Sequence, residues 1–232
     1  MGDIAGHLSE IRQRIAAAES RAGRAAGSVE LVAVSKTFPP PPIREAYDAG
    51  QRHFGENRIQ EFEGKSPQMQ WPGAAWHMIG HVQSNKAARA AQLFDVVHTV
   101  DSASLARRLH EQRARSGKSP LDVFIEVKLS EEAAKTGAAE TEVESLAKEI
   151  RTLDHLHLRG LMTMPPWSTD PEVARPYFRR LRAIGERVGV SEFSMGMTND
   201  FETAIEEGST LVRVGTAIFG KREKPLAADE RR

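Results

Sequence analysis

Apolar residues in this chain collect in short β-branched runs, separated by stretches in which they recur every three to four positions. The runs are "ELVAVSK", "RHFGEN", "AWHMIGH", "DVVHTVD", "DVFIEVKLS", "LHLRGLMTMP", "EFSMGM" and "TLVRVGTAIF". Between them lie amphipathic pieces such as "PPIREAYDAG", "SNKAARAAQLF", "SASLARRLHEQRARSG", "EVESLAKEIRTLD", "EVARPYFRRLRAIGERVG" and "DFETAIEEG". A helical lead from about Ile4 to Ala26 precedes the first run. Several helical pieces open on Ser, Thr or Asp, as helix caps do, and several close on Gly.

Strict strand–helix alternation predicts a parallel sheet, and eight repeats in 232 residues predict an α/β fold of the (β/α)8 TIM-type barrel class with an extra N-terminal helix. The alternative is an open doubly wound sheet. That fold would place a GxGxxG turn after the first strand, where "AVSKTFPPPP" has none. Residues 1–222 read as a single domain, and the charged tail 223–232, with little to bury, as disordered.

Barrel enzymes and binding proteins keep their sites at the C-terminal ends of the strands. Those ends carry Lys36, Asn57, His81, Asp101, Lys128, Met164 with Pro165, Thr198 with Asn199, and Gly215 with Thr216. Lys36 closes an apolar run and stands just before four prolines. It reads either as a snorkelling cation or as a partly desolvated amine able to form a Schiff base with an aldehyde. The prolines end the strand and keep a helix from starting at Lys36. "SMGMTND" and "VGT" offer hydroxyls, small residues and backbone amides at the positions where such barrels bind phosphate, although each is also an ordinary capped turn. Arg213 sits inside the apolar run "LVRVGTAIF" and needs an acceptor. That acceptor is either a structural carboxylate or a ligand atom such as a pyridine nitrogen.

Charge and composition remove several classes. Lys plus Arg equals Asp plus Glu at 32 each, which supplies no basic field for nucleic acid. There is no cysteine, so disulfides, thiolate metal sites and a cysteine nucleophile are ruled out. "MGDIAGHLSE" lacks the apolar core of a signal peptide, and no run approaches the ~18 residues of a membrane span, so a cytoplasmic protein is expected. His77 and His81 lie four apart, but on a strand and without the glutamate of HExxH, and no metal is expected. The stripe in "HLSEIRQRIAAAESRAGR" reads as the cover of one barrel end.

A lysine for an aldehyde, amides for a phosphate and an arginine for a ring nitrogen together describe a pyridoxal phosphate site. "AVSKTFP", "GQRHFGENRIQE", "WHMIGHVQSNKA", "HTVDS", "RGLMTMPP" and "FSMGMTNDFETAIEEGSTLVRVGTAIFG" resemble, in order and spacing, the motifs of the pyridoxal phosphate homeostasis protein family. The resemblance runs from Glu30 to Gly220. It implies a barrel similar to the N-terminal domain of alanine racemase, usually monomeric, that holds pyridoxal phosphate as a lysine aldimine and acts as a carrier of the cofactor. Carried over by motif, Lys36 is the Schiff-base lysine and Asn57 lies beside the ring. Ser194 and Thr198 resemble the hydroxyl positions near the phosphate, Gly215 and Thr216 its amide donors, and Arg213 the partner of the pyridine nitrogen.

Two departures stand out: Thr198 replaces the family's usual serine, and "FGKREKP" replaces an ending with an arginine and an aromatic. The expected function is intracellular cofactor homeostasis, with delivery to apo-enzymes. A pyridoxal phosphate-dependent amino-acid racemase and a cofactor-less phosphosugar enzyme are the alternatives. Racemisation needs acid/base groups on both faces of a carbanion. The only tyrosines, Tyr47 and Tyr177, fall on predicted outer helices, and no β domain is expected after the eighth strand.

Overall fold

The computed structural model describes residues 3–130 and 136–220. The tail 223–232 and the "FGKREKP" ending beyond Gly220 lie outside the described residues. Eight parallel strands close into a barrel in sequence order: β1 (Glu30–Val34), β2 (His53–Glu56), β3 (Ala75–Met78), β4 (Val96–Val100), β5 (Leu121–Glu126), β6 (Leu156–Met162), β7 (Glu192–Met197) and β8 (Leu211–Val214). Closure comes from β1 pairing with β8, which sets Val32 opposite Arg213 and Ala33 opposite Val214. An α1 helix (Ile4–Arg21) precedes the barrel. Around it lie α2 (Pro40–Asp48), α3 (Ile59–Lys65), α4 (Ala87–Leu93), α5 (Ala103–Ser116), α6 (Val143–Ile150), α7 (Arg175–Val188), α8 (Phe201–Glu206) and α9 (Thr216–Phe219).

The local signals explain most boundaries. Ser102 caps α5 by accepting from Leu105 N at 3.3 Å, and Gly117, in the left-handed region, ends it. Asp3 caps α1, whose buried Ile4, Leu8, Ile11, Ile15 and Ala18 form one stripe against α2, α8 and α9. The helix ends at Arg21 rather than at Ala26, because Gly23 turns the chain at φ 64°. At α2 the prolines occupy the first helical positions, where the missing amide donors have no intrahelical acceptor.

Two elements escape the apolar pattern. The run "TLVRVGTAIF" is strand only to Val214, and its second half is the α9 turn, which begins after Gly215. The α3 helix lies in a polar stretch without a clear stripe.

The core has two parts. A large apolar layer lies between strands and helices, and a small one inside the barrel is built from Val32, Val96, Phe124, Met162 and Leu211, each from a different strand. The rest of the lumen is polar. His77, His98, Ser194 and Arg213 are all buried there.

Strand spacing sets the first prediction. A Cβ at Gly160 would lie 1.9 Å from the Glu192 carbonyl oxygen of β7, whereas at Gly64 in α3 it would meet nothing within 4 Å. Gly160→Ala should lower stability by about 3 kcal/mol and the melting temperature by roughly 6–12 °C. Gly64→Ala should raise stability by about 0.4–1 kcal/mol. Thermal melts of the two variants check this, and equal midpoints would show that β6 and β7 are not this close.

Candidate functional site

The chain leaves β1 at Val34 and enters a loop fixed on both sides of Lys36. Before it, Ser35 N donates to Gly55 O at 3.0 Å and Ser35 Oγ donates to Glu56 Oε1 at 2.5 Å. After it, Thr37 N donates to Glu61 Oε1 at 2.5 Å, with Thr37 at φ 69°. Lys65 from α3 ties these together. Its buried ammonium lies 2.7 Å from Glu56 and 3.1 Å from Glu61, and donates to the carbonyls of Ser35 and Phe38 at 3.2 Å each. Burial pushes the Glu56 carboxyl up, against the downward pull of Lys65. Lys36 itself is half-buried at the barrel mouth. The Lys65 clamp has no local sequence signature, since its partners come from three separate segments.

On β2 the strand ends at Glu56 and Asn57 follows. Asn57 Oδ1 is buried without a hydrogen-bond partner. A Cβ on Gly80 would come within 2.2 Å of the Asn57 carbonyl oxygen, so the glycine after β3 is what lets Asn57 sit there.

Arg213 faces the lumen from β8. Its Nη1 donates to Ser194 Oγ at 2.5 Å and its Nη2 to Thr163 O at 3.1 Å. Burial lowers its pKa to about 10, with Asp200 and Glu126 opposing. Among the described residues no carboxylate forms an ion pair with it, so the structural-carboxylate alternative finds no support there. Ser194 is fully buried, with its hydroxyl shared between Arg213 and His98 Nδ1 at 2.8 Å. It therefore sits at Arg213 rather than in the turn with Thr198. Two imidazoles continue inward, His98 and His77, both fully buried. Burial drives the His98 pKa well down, helped by His77, Arg213 and Arg159, and the His77 pKa well down, helped by His53 and Arg159.

The last two strand ends form adjoining turns. After β7, Asp200 Oδ1 accepts from Met197 N at 2.6 Å and closes the turn that carries the half-buried Thr198. After β8, Gly215 O accepts from Ile218 N and Phe219 N, and the amides of Thr216 and Ala217 stand in the first turn of α9, where a helix offers them no partner. A Cβ on Gly215 would lie 3.1 Å from Val34 O, so the glycine lets β8 end close beside the Lys36 strand.

These observations make one arc. Lys36, Asn57, Ser194, Thr198, Arg213, Gly215 and Thr216 fall on β7, β8, β1 and β2 or the turns after them, four strands that neighbour one another once the barrel is closed. His81 and Asp101, 3.5 Å apart after β3 and β4, and Lys128 after β5 lie outside that arc.

The family profile described as "Alanine racemase, N-terminal domain" matches residues 6–223. The Pyridoxal phosphate homeostasis protein of Pseudomonas aeruginosa is 43% identical over 225 residues, covering 96% of this chain and 97% of that protein. Its counterpart in Escherichia coli is 42% identical over 231 residues, covering 96% and 98%. The structure of PipY from Synechococcus elongatus with PLP bound superposes with a TM-score of 0.83 at 36% identity, over 94% of this chain and 100% of that one. Alanine racemase from Corynebacterium glutamicum, at 18% identity and a TM-score of 0.65 over 95% of this chain and 63% of its own, shares the fold.

Two measurements test the site's electrostatics. Lys65→Met should cost about 3–5 kcal/mol in urea unfolding because it strands the buried Glu56 carboxylate, and adding Glu56→Gln should recover part of the loss. Absence of recovery would mean that Lys65 acts by packing alone. His77 and His98 have folded pKa values below their unfolded value of about 6.5. Their contribution is full above that pH and is lost as pH falls. Stability should therefore fall as pH is lowered below about 6.5, a dependence that the His77→Gln/His98→Gln double variant should lose.

Proposed function

The chain belongs to the alanine racemase N-terminal domain family and, within it, to the pyridoxal phosphate homeostasis proteins, and on that premise we propose that it binds pyridoxal 5'-phosphate at the β7–β8–β1–β2 mouth, retains it through Lys36 and supplies it to apo-enzymes. The residues suit that group. Asn57 offers a buried acceptor without a partner, and Arg213 is a buried cation without a carboxylate ion pair among the described residues. The observation that carries the reading is the arc itself, which sets an amine on a braced loop beside two amide-bearing turns and a buried guanidinium.

In this reading Lys36 would hold the cofactor through its aldehyde, which supplies a carbonyl that an amine can bind reversibly with exchange of water. Thr198 and the amides at Gly215 and Thr216 hold the phosphate. Asn57 borders the ring. Ser194, with both its contacts inside the lumen, serves by holding Arg213. A guanidinium only donates, so at the ring nitrogen it keeps that nitrogen unprotonated and weakens the electron sink that carbanion chemistry relies on. Both tyrosines lie on outer helices, with the Tyr47 hydroxyl donating to Pro72 O at 2.8 Å and Tyr177 on α7. Neither is placed to serve as the second acid/base of a racemase. Among the described residues no helix is long and apolar enough to cross a membrane. We take the carrier to be a cytoplasmic monomer whose partners are the cofactor and the apo-enzymes that receive it.

Purified protein loaded with pyridoxal phosphate should show a visible absorbance band that borohydride shifts and fixes to Lys36, and Lys36→Ala should lose the band with the fold intact. Label on another lysine would disprove the assignment. Loaded protein should reactivate an apo pyridoxal phosphate enzyme while racemising single-enantiomer amino acids no faster than the dissolved cofactor. Turnover in the enzymatic range of roughly 1 to 10³ per second would make it a racemase instead.

A further inference from the structure

The lumen contains an unbroken row of polar side chains running from β8 to the start of β2. Arg213 Nη1 donates to Ser194 Oγ at 2.5 Å, and Ser194 Oγ lies 2.8 Å from His98 Nδ1. His98 Nε2 lies 2.8 Å from His77 Nδ1, and His77 Nε2 lies 3.0 Å from His53 Nδ1. Ser194, His98 and His77 are fully buried, and Phe124 stacks on the His98 ring at 4.8 Å. We propose that this row is a one-way hydrogen-bond relay in which His98 and His77, each uncharged with its proton on Nε2, act through Ser194 as positioning residues for Arg213.

The direction follows from the donor at one end. A guanidinium has no acceptor atom, so Ser194 Oγ must accept from it. The serine's single hydrogen then goes to His98 Nδ1, which makes that nitrogen an acceptor and puts the imidazole proton on Nε2. His98 Nε2 donates to His77 Nδ1, and by the same step His77 Nε2 donates to His53 Nδ1. The opposite polarity has Ser194 accept from both neighbours and leaves its hydrogen buried without an acceptor, a costly arrangement.

At the far end of the row, Glu30 Oε1 lies 3.3 Å from His53 Nδ1 and makes no hydrogen bond. Besides Glu30 from β1, the charged groups acting on His53 are Arg159 of β6 and Asp95 just before β4. Arg159 is itself held by Glu192 at 2.6 Å and Asp122 at 3.5 Å. Glu30, His53 and His77 also offer ligand atoms within 4.8 Å of one another. The cation of Arg159, which acts on both His53 and His77, disfavours a metal ion there.

The relay explains how a buried cation is held by neutral hydrogen-bonding partners, while Asp200 and Glu126 act on it without an ion pair among the described residues. Every acceptor in the row points toward Arg213, so aligned neutral dipoles stabilise the guanidinium and fix its orientation. A carboxylate would have neutralised it. Held by neutral partners, Arg213 keeps its charge for a neutral acceptor in the mouth.

The test compares two replacements of similar bulk. In His98→Gln, the amide oxygen accepts from Ser194 and the NH2 donates to His77, which preserves the direction without an ionisable ring. In His98→Phe, both bonds are lost. Imidazole ¹⁵N spectra of the ligand-free protein should show His98 and His77 uncharged with Nε2–H from about pH 6 to 8. Exchange of the Arg213 side-chain N–H protons should change less than about two-fold in His98→Gln and accelerate at least about ten-fold in His98→Phe. A proton on His98 Nδ1, or equal exchange in the two variants, overturns the relay. With pyridoxal phosphate bound, only His98→Phe should shift the pH midpoint of the visible band. This last readout alone rests on the proposed function. If the first two results hold and the band does not move, the relay stands and the place of Arg213 at the ring fails.

Discussion

The pairing of β1 with β8 is the constraint on which the site depends. It joins the first strand to the last and sets Val32 opposite Arg213. Lys36 and Arg213, from opposite ends of the barrel sequence, thereby come to one arc. The seam is reinforced around its rim. Gly215 gives Val34 room, Phe38 and Phe219 lie 5.1 Å apart, and His7 on α1 meets Ile218 O at 2.9 Å. The first two contacts join the lysine strand and loop to the turn that follows β8, and the third pins that turn to α1, so closing the seam also assembles the mouth.

Closing a barrel makes a lumen that has to be filled, and here it is filled in two ways. Five apolar side chains from five strands supply part of the packing. The remainder is a polar row whose burial is tolerated because each member finds a hydrogen-bonding partner. The same low-dielectric surroundings that make an unpaired group costly make a satisfied row stiff. A barrel with an apolar lumen would pack as well but would leave Arg213 without support.

Much of this was legible in the sequence where the signal is local. The eight strands follow from short apolar runs, the ends of α5 and α7 from their glycines, and the strand-end position of Lys36 from the prolines after it. What could not be read is what pairs across the barrel. Lys65 belongs to the short helix α3, and its partners Ser35, Phe38 and Glu56 come from other segments. His77 and His98 look like ordinary strand residues until closure puts their rings 5.1 Å apart. Ser194 resembles a phosphate-turn hydroxyl by motif, yet it lies three residues inside β7, and that depth turns it toward Arg213. Residue type and strand position identified the candidates, while partners required the register.

The two anchoring systems, taken with the proposed function, divide the work of a carrier. The Lys65 clamp holds the backbone on each side of Lys36 through the carbonyls of Ser35 and Phe38 and through Glu61, which accepts from Thr37 N. The histidine row likewise holds Arg213 through groups that carry no charge and lie outside the mouth. Neither system has to be dismantled for a ligand to leave. Under the proposed function, retention would rest on contacts that are individually reversible: a lysine link that water cleaves, a phosphate on amides, and a ring nitrogen on a guanidinium. A braced mouth with weak chemistry toward its ligand is what separates holding a reactive aldehyde from transforming it.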